Sequence, residues 1–183
     1  TFLERFLAIS TAIETFGTDS VSLWDEEDGF YYDILLPLTS DDIFGNSRRL
    51  RVRSLVGLLP LLAVGVVPDW VTRELPDFME RFRWLQRNRP EEADAVLQTE
   101  GPGGPATLML IDPARHGRLL ETMLDEAEFL GPHGIRSLSA VYRGGAHIEL
   151  PDGFVEIEYV PGESNSPMFG GNSNWRGPVW FPV

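Results

Sequence analysis

Bulky apolar side chains recur at steps of three and four residues in several separate stretches of this 183-residue chain. That spacing places them on one face of a helix. The pattern predicts helices over residues 1–16, over residues 76–88 and after Asp112, where Asp112-Pro113 has the residue types of an N-cap and a first helical turn. The stripe of the first helix comprises Phe2, Phe6, Ile9, Ile13 and Phe16.

The longest apolar run, Ser54–Val67, predicts a further buried helix. It is shorter than the ~18 residues of a membrane span, and it contains Pro60. Strands are expected in fewer places: beside the tight reversal at Asp28-Gly29, in the alternating stretch before Ser54, and in a hairpin turning at residues 151–153. Helices therefore dominate the prediction, which is one mainly α-helical domain over residues 1–183 with the β-hairpin as an insertion.

Composition excludes several classes of function. The chain carries 28 acidic and 15 basic residues, a net charge of −13, so nucleic acid and anionic membranes are not expected partners. All the basic residues are arginine, and the absence of lysine excludes Schiff-base chemistry and a Walker-type phosphate lysine. The sequence has no cysteine, so nothing marks an oxidising compartment, and we expect a cytoplasmic protein.

Neither a metal nor a cofactor is expected. The acidic cluster at residues 25–28 could hold a cation or supply an acid/base carboxylate, but a solvated turn also explains it. Alignment of Gly29 with the glycine of an EF-hand puts Trp24 at a ligand position, so that calcium motif fails. The histidines His116, His133 and His147 are too far apart in sequence to indicate zinc. The chain also lacks a P-loop, a dinucleotide-binding glycine motif and a serine nucleophile elbow.

Aromatic and polar residues are concentrated in the expected loops. Trp24, Trp175 and Trp180 lie close in sequence to acids, amides and arginines. Sugars are bound by this mixture, because an indole stacks on the apolar face of a pyranose while charged groups bond its hydroxyls. The alternative is that these tryptophans belong to the core.

Four stretches together resemble bacterial proteins of glycoside hydrolase family sixty-three, which includes processing α-glucosidase I. We name them the first string (LWDEEDGFYYD, Leu23–Asp33), the linking string (LRVRSLVGLLPL, Leu50–Leu61), the second string (GIRSLS, Gly134–Ser139) and the last string (MFGGNSNWRGPVWFPV, Met168–Val183). They follow one another in the family's order, and the resemblance extends over nearly the whole chain.

The resemblance implies part of an (α/α)6 barrel and an inverting, exo-acting α-glycosidase of the α-glucosidase or α-mannosidase type. Its substrate would be an oligosaccharide or a small glycoside. Inversion needs a general acid and a general base whose carboxyl groups are roughly 6.5–9.5 Å apart. In the family's pattern the acid precedes the first string and the base follows the last, so we expect both outside this chain, which would then be an inactive internal fragment.

By the same resemblance, the residues expected to contact sugar are Trp24, Arg136, Trp175, Arg176 and Trp180. For Arg176 a buried arginine that caps carbonyls is an equal alternative. Asp25 and Glu26 remain acid/base candidates if the catalytic pair is placed wrongly. A rival function is a non-catalytic carbohydrate- or protein-binding helical domain, and an exposed barrel face would lead to self-association.

Overall fold

The computed structural model describes residues 2–15, 17–18, 21–36, 47–99, 106–132, 134–150 and 153–159, and short helices alternate there with short strands. The α-helices are α1 (Phe2–Thr15), α2 (Asp69–Glu74), α3 (Pro76–Asn88), α4 (Pro90–Val96) and α5 (Pro113–Leu124). Two 3-10 helices span Leu55–Leu62 and Ala140–Tyr142. The strands are β1 (Gly17–Thr18), β2 (Val21–Ser22), β3 (Trp24–Asp25), β4 (Phe30–Tyr31), β5 (Asp33–Leu35), β6 (Arg48–Leu50), β7 (Val64–Val67), β8 (Leu97–Thr99), β9 (Ala106–Met109), β10 (Leu130–Gly131), β11 (Gly134–Ile135), β12 (Ala146–Leu150) and β13 (Gly153–Ile157).

All strand pairs in the described residues are antiparallel. Five sheets have two strands each, pairing β1 with β2, β3 with β4, β5 with β6, β10 with β11 and β12 with β13, and one sheet has three strands in the order β7-β9-β8. A toroid of paired helices would leave no room for strands between most helices. The prediction of a mainly α-helical part of an (α/α)6 barrel is therefore wrong.

The apolar run Ser54–Val67 accounts for part of this error. It forms a 3-10 helix that is followed at once by strand β7, not one buried α-helix. Pro60 lacks the N–H that an α-helix needs at that position, and three of the four residues of β7 are valines, which favour extended backbone. Gly57 packs so closely that an added Cβ would lie 2.3 Å from the Phe30 ring.

Other local predictions are confirmed. Helix α3 has the expected bounds, and the Asp112 carboxylate caps α5 by accepting hydrogen bonds from the N–H groups of Ala114 and Arg115 at 2.9 and 3.1 Å. The hairpin of β12 and β13 also forms.

Helix α1 exists as predicted, but it buries a different face. Leu3 and Leu7 are buried, whereas Phe2 and Ile9 of the expected stripe are 70% and 52% exposed. The two sets are adjacent on the helix, and both have the helical spacing of three and four residues. The contacts of α1 with later elements decide between them.

Two apolar clusters form the core. The first surrounds β3 and β4 and comprises Trp24, Phe30, Tyr31, Tyr32, Leu58, Leu61, Ile111, Leu119 and Phe129. The second lies between α1, α3, α4 and β9 and comprises Leu3, Leu7, Leu85, Val96 and Leu108. Helix α1 contacts both clusters, because Ile13 near its end packs against the first.

Candidate functional site

The acidic residues of the first string are built into a tight turn between β3 and β4. Oδ1 of Asp25 accepts hydrogen bonds from the N–H groups of Glu27 and Asp28, both at 3.0 Å, and the Gly29 N–H donates to the Asp25 carbonyl at 2.8 Å. Gly29 has a φ of 62°, and an added Cβ would lie 2.6 Å from the Arg118 guanidinium. Glycine is thus needed both for the backbone conformation and for the arginine's approach.

Asp25 is a buried carboxylate held by two arginines. Asp25 is 3% exposed. Its Oδ2 accepts a hydrogen bond from Arg49 and another, at 2.6 Å, from Nη2 of Arg51. Burial acts to raise the pKa of Asp25, but the Asp28 N–H and the two guanidiniums outweigh it and hold the pKa below its ordinary value. A carboxylate that stays ionised cannot serve as a general acid, and both of its oxygens are engaged.

A second buried carboxylate, Glu128, continues the network. Arg53 forms an ion pair with it, the Ser139 hydroxyl donates to its other oxygen, and Arg53 also donates from Nε to the Tyr32 hydroxyl at 3.2 Å. The Tyr32 hydroxyl in turn donates to Asp28 at 2.9 Å. Burial acts to lower the pKa of Arg53, but Tyr32, Glu128 and Asp28 raise it above its ordinary value.

This network joins three of the four strings. The second string bonds to the linking string through backbone, because the Leu55 N–H donates to the Ser137 carbonyl at 2.9 Å and the Ser139 N–H donates to the Arg53 carbonyl at 3.0 Å. The first string joins through the contacts of Asp25, Asp28 and Tyr32 described above. Segments that are up to about a hundred residues apart in sequence therefore form one polar assembly beside the first apolar cluster.

Trp24, expected at the rim of a sugar pocket, lies in the core. It is 3% exposed and packs against Tyr31 with ring centroids 4.8 Å apart. The guanidiniums of Arg115 and Arg118 lie 5.0 and 5.3 Å from its ring, and Glu26 accepts from both at 3.3 and 3.2 Å. Two guanidiniums thus lie over a ring that would have to be free to stack on a sugar.

Arg136, also expected at the rim, holds a loop together. Nη1 donates to the carbonyls of Glu126, Glu128 and Leu130 at 2.8, 3.1 and 2.8 Å, and Nε donates to the Tyr159 hydroxyl at 3.0 Å. The residue is 7% exposed. These contacts are those of a carbonyl-capping arginine, and sugar contact by Arg136 stays a prediction.

The other expected sugar-binding residues, Trp175, Arg176 and Trp180, lie outside the described residues. So does His133, whereas His116 and His147 are described at separate places, on α5 and on β12. Burial lowers the pKa of His116. The described part of the chain contains no group of three or more His, Asp or Glu side chains that could hold a metal ion.

An apolar groove lies next to the polar assembly. Its volume is about 260 Å³, and its walls include Ile13, Tyr31, Val56, Leu59 and Leu110, with Asp33 among its few polar residues. The hydroxyl of Tyr31 donates to Glu14 at 2.7 Å. The groove thus suits an apolar side chain better than a sugar.

The arginines of the polar assembly and Glu128 were not predicted as members of a site. The arginines had a signal, since residues 49, 51 and 53 alternate in an extended segment and therefore share one face. Glu128 had no such signal in the sequence, because it follows α5 among other acidic residues and only the fold brings it to Arg53 and Ser139.

Among the described residues, no helix is both long and apolar enough to cross a bilayer.

Comparison with known proteins gives one informative similarity. Over 199 aligned residues the chain is 39% identical to the uncharacterized protein YMR196W of Saccharomyces cerevisiae. The match includes the whole of this chain but only 18% of the yeast protein's length. No protein-family model matches the chain. No solved structure matches it either.

Proposed function

We propose that this chain is a segment of an inverting, exo-acting α-glycosidase of the α-glucosidase or α-mannosidase type, acting on oligosaccharides or small glycosides. Its own part would be to contribute sugar-binding residues, with the general acid and base supplied by sequence outside it. The proposal keeps the expected cytoplasmic location.

The observation that supports the proposal best is the assembly of the three strings. Strings that resemble one enzyme family could lie at separate places on the surface. Instead, the first, linking and second strings share hydrogen bonds and ion pairs through Asp25, Arg53 and Ser139. Residues that must stay together for one purpose are expected to have this arrangement. Because Trp24 and Arg136 are internal, the proposed sugar contacts rest on Trp175, Arg176 and Trp180 of the last string.

Two buried carboxylates of the assembly, Asp25 and Glu128, support the expectation that the chain alone is inactive. Asp25 is ionised and bound by Arg49 and Arg51, and Glu128 is bound by Arg53 and Ser139. A general acid must carry a proton at working pH, and a general base must reach a water molecule. Carboxylates with both oxygens bound inside the protein meet neither need.

The yeast protein and this chain together allow a direct test. Both are assayed for hydrolysis of a panel of α-glucosides and α-mannosides, and binding of the same sugars to this chain is measured by titration calorimetry. We expect hydrolysis by the yeast protein alone and weak sugar binding by this chain. Trp175→Ala should abolish that binding, whereas Trp84→Ala, at a 40% exposed tryptophan on α3, should not.

Two results would contradict the proposal. Absence of hydrolysis by the yeast protein, together with absence of sugar binding by this chain, would leave no support for a glycosidase. Equal loss of binding in both tryptophan variants would show that the last string is not the binding segment. The rival, a non-catalytic protein-binding domain, is favoured by the apolar groove, and it predicts no sugar binding by either protein.

A further inference from the structure

Among the described strands, β7 is an outer edge of its sheet with no strand beside it. It pairs with β9 on one side, and no described strand pairs with its other side. Its sequence, Val64-Gly65-Val66-Val67, contains no charge and no proline, and Val64 and Val66 are 44% and 67% exposed. Natural proteins guard exposed edges with charged residues, prolines or bulges, because a free edge pairs readily with another strand. β7 has none of these guards.

The register with β9 shows which backbone groups are free for pairing. The Leu110 N–H donates to the Ala63 carbonyl at 3.1 Å, which marks these two residues as a hydrogen-bonded pair. Paired residues alternate along an antiparallel ladder, so Val64 and Val66 are the residues whose N–H and C=O groups point away from β9. The outer edge therefore offers two donors and two acceptors, placed symmetrically about Gly65.

An exposed apolar stripe leads into this edge. In the preceding 3-10 helix, Val56, Leu59 and Leu62 recur at steps of three, the spacing that aligns side chains in such a helix, and they are 54%, 47% and 49% exposed. Val56 and Leu59 also line the apolar groove. From residue 54 to residue 68 the sequence contains no charged side chain, although the whole chain carries a net charge of −13.

We propose that the β7 edge and this stripe form the interface of a twofold dimer with a second copy of the chain. The Val64 N–H would donate to the Val66 C=O of the second copy, and the Val64 C=O would accept from its Val66 N–H. By symmetry, Val66 of the first copy would form the same two bonds with Val64 of the second. This makes four hydrogen bonds and one continuous six-stranded sheet. The twofold axis would pass beside Gly65, which faces its own counterpart.

Glycine at the axis and the absence of charge both favour a second copy as the occupant. Gly65 would form a non-hydrogen-bonded pair, in which the two Cα atoms approach to about 4.5 Å. A twofold contact also sets identical surfaces against each other, and an uncharged stripe is the part of this acidic chain that can do so without repulsion.

Analytical ultracentrifugation of the 183-residue protein tests the proposal. Between about 1 and 200 μM protein, a range that brackets a micromolar dissociation constant, the mass should rise from 20.5 kDa to twice that value. Val66→Lys should raise the dissociation constant at least tenfold. Val66→Pro, which removes one outward donor per copy, should do the same. Phe154→Lys, at a 61% exposed residue on the hairpin, is the matched control and should leave it unchanged.

Hydrogen exchange of the wild type supplies a readout that needs no variant. Protection of the Val64 and Val66 amides should increase with protein concentration, whereas amides of the hairpin should not respond. The proposal is overturned if the wild type stays monomeric throughout, if it forms open-ended polymers, or if exchange at β7 ignores concentration. It is overturned equally if Phe154→Lys disrupts the dimer as much as Val66→Lys does.

Discussion

Removal of the Arg53 side chain should destabilise the fold more than removal of any surface arginine. Arg53 is bound to Glu128 and Asp28 and contacts the Tyr32 hydroxyl, and the side chains of Arg53 and Glu128 are only 23% and 11% exposed. Breaking a buried pair by deleting one partner leaves an uncompensated charge and costs 3–5 kcal/mol when burial is complete. Because some solvent reaches this pair, we expect Arg53→Met to lower the free energy of unfolding by about 2–4 kcal/mol.

A surface arginine provides the matched control. Arg81 on α3 pairs with Glu4 of α1, and these side chains are 41% and 39% exposed. Exposed ion pairs contribute roughly 0–1 kcal/mol, so Arg81→Met should cost no more than about 1 kcal/mol. Methionine replaces arginine in both variants, and the difference between them therefore measures the effect of burial.

Equilibrium unfolding in urea, followed by tryptophan fluorescence, gives both free energies. Urea is preferred to guanidinium, whose ions screen charge. A double variant then separates loss of the pair from loss of packing, because Arg53→Met with Glu128→Leu removes the unpaired carboxylate and should regain about 1–2 kcal/mol. Equal costs for Arg53→Met and Arg81→Met, or no recovery in the double variant, would refute the reasoning.

Two further changes test the surroundings of the assembly. Gly57→Ala should cost about 1–3 kcal/mol, because its Cβ would lie 2.3 Å from the Phe30 ring, whereas Gly117→Ala in α5, which meets nothing within 4 Å, should be neutral or stabilising by up to ~1 kcal/mol in thermal unfolding. Despite burial, the Asp28 N–H and the guanidiniums of Arg49 and Arg51 hold the folded-state pKa of Asp25 below its ordinary value of 3.8. The stability that this shift contributes is therefore present above that value and is lost as the pH falls through the folded pKa. Asp25→Asn should accordingly flatten the acid side of a stability-versus-pH curve, and an unchanged slope between about pH 2 and 5 would argue against the assignment.

Local structure followed from sequence wherever a few neighbouring residues determine it. Helix α3 is bounded by prolines, α5 begins with the Asp112 cap, and the β12–β13 hairpin follows its turn residues. For the two helices, the deciding residues lie within four positions of the helix ends. Sequence patterns describe interactions at this range well.

The predicted fold class was wrong because a strongly apolar stretch was interpreted as an α-helix, whereas its backbone forms a 3-10 helix and a strand. Ser54–Val67 has the hydrophobicity of a buried helix, but Pro60 and the valines of β7 exclude one. Strands as short as two residues, such as β3 and β4, produce no readable alternation, so most of the small sheets could not be predicted. Only Asp28-Gly29 and residues 151–153 have clear turn residue types in the sequence.

The candidate site shows why a residue type alone does not give a role. Trp24 lies among acidic residues in sequence, which suggested a sugar-binding surface, but the nearby Arg115 and Arg118 come from α5 and cover its ring. Acids of the first string serve as partners for Arg49 and for two arginines of the linking string, Arg51 and Arg53. The chain has 28 acidic residues and no lysine, so arginine and the three histidines are the side chains that can form ion pairs with its carboxylates. The planar guanidinium of arginine can also bond several oxygens at once. Buried arginines such as Arg136, which bonds three carbonyls and a tyrosine, are therefore expected as internal connectors in this chain before they are expected as ligand contacts.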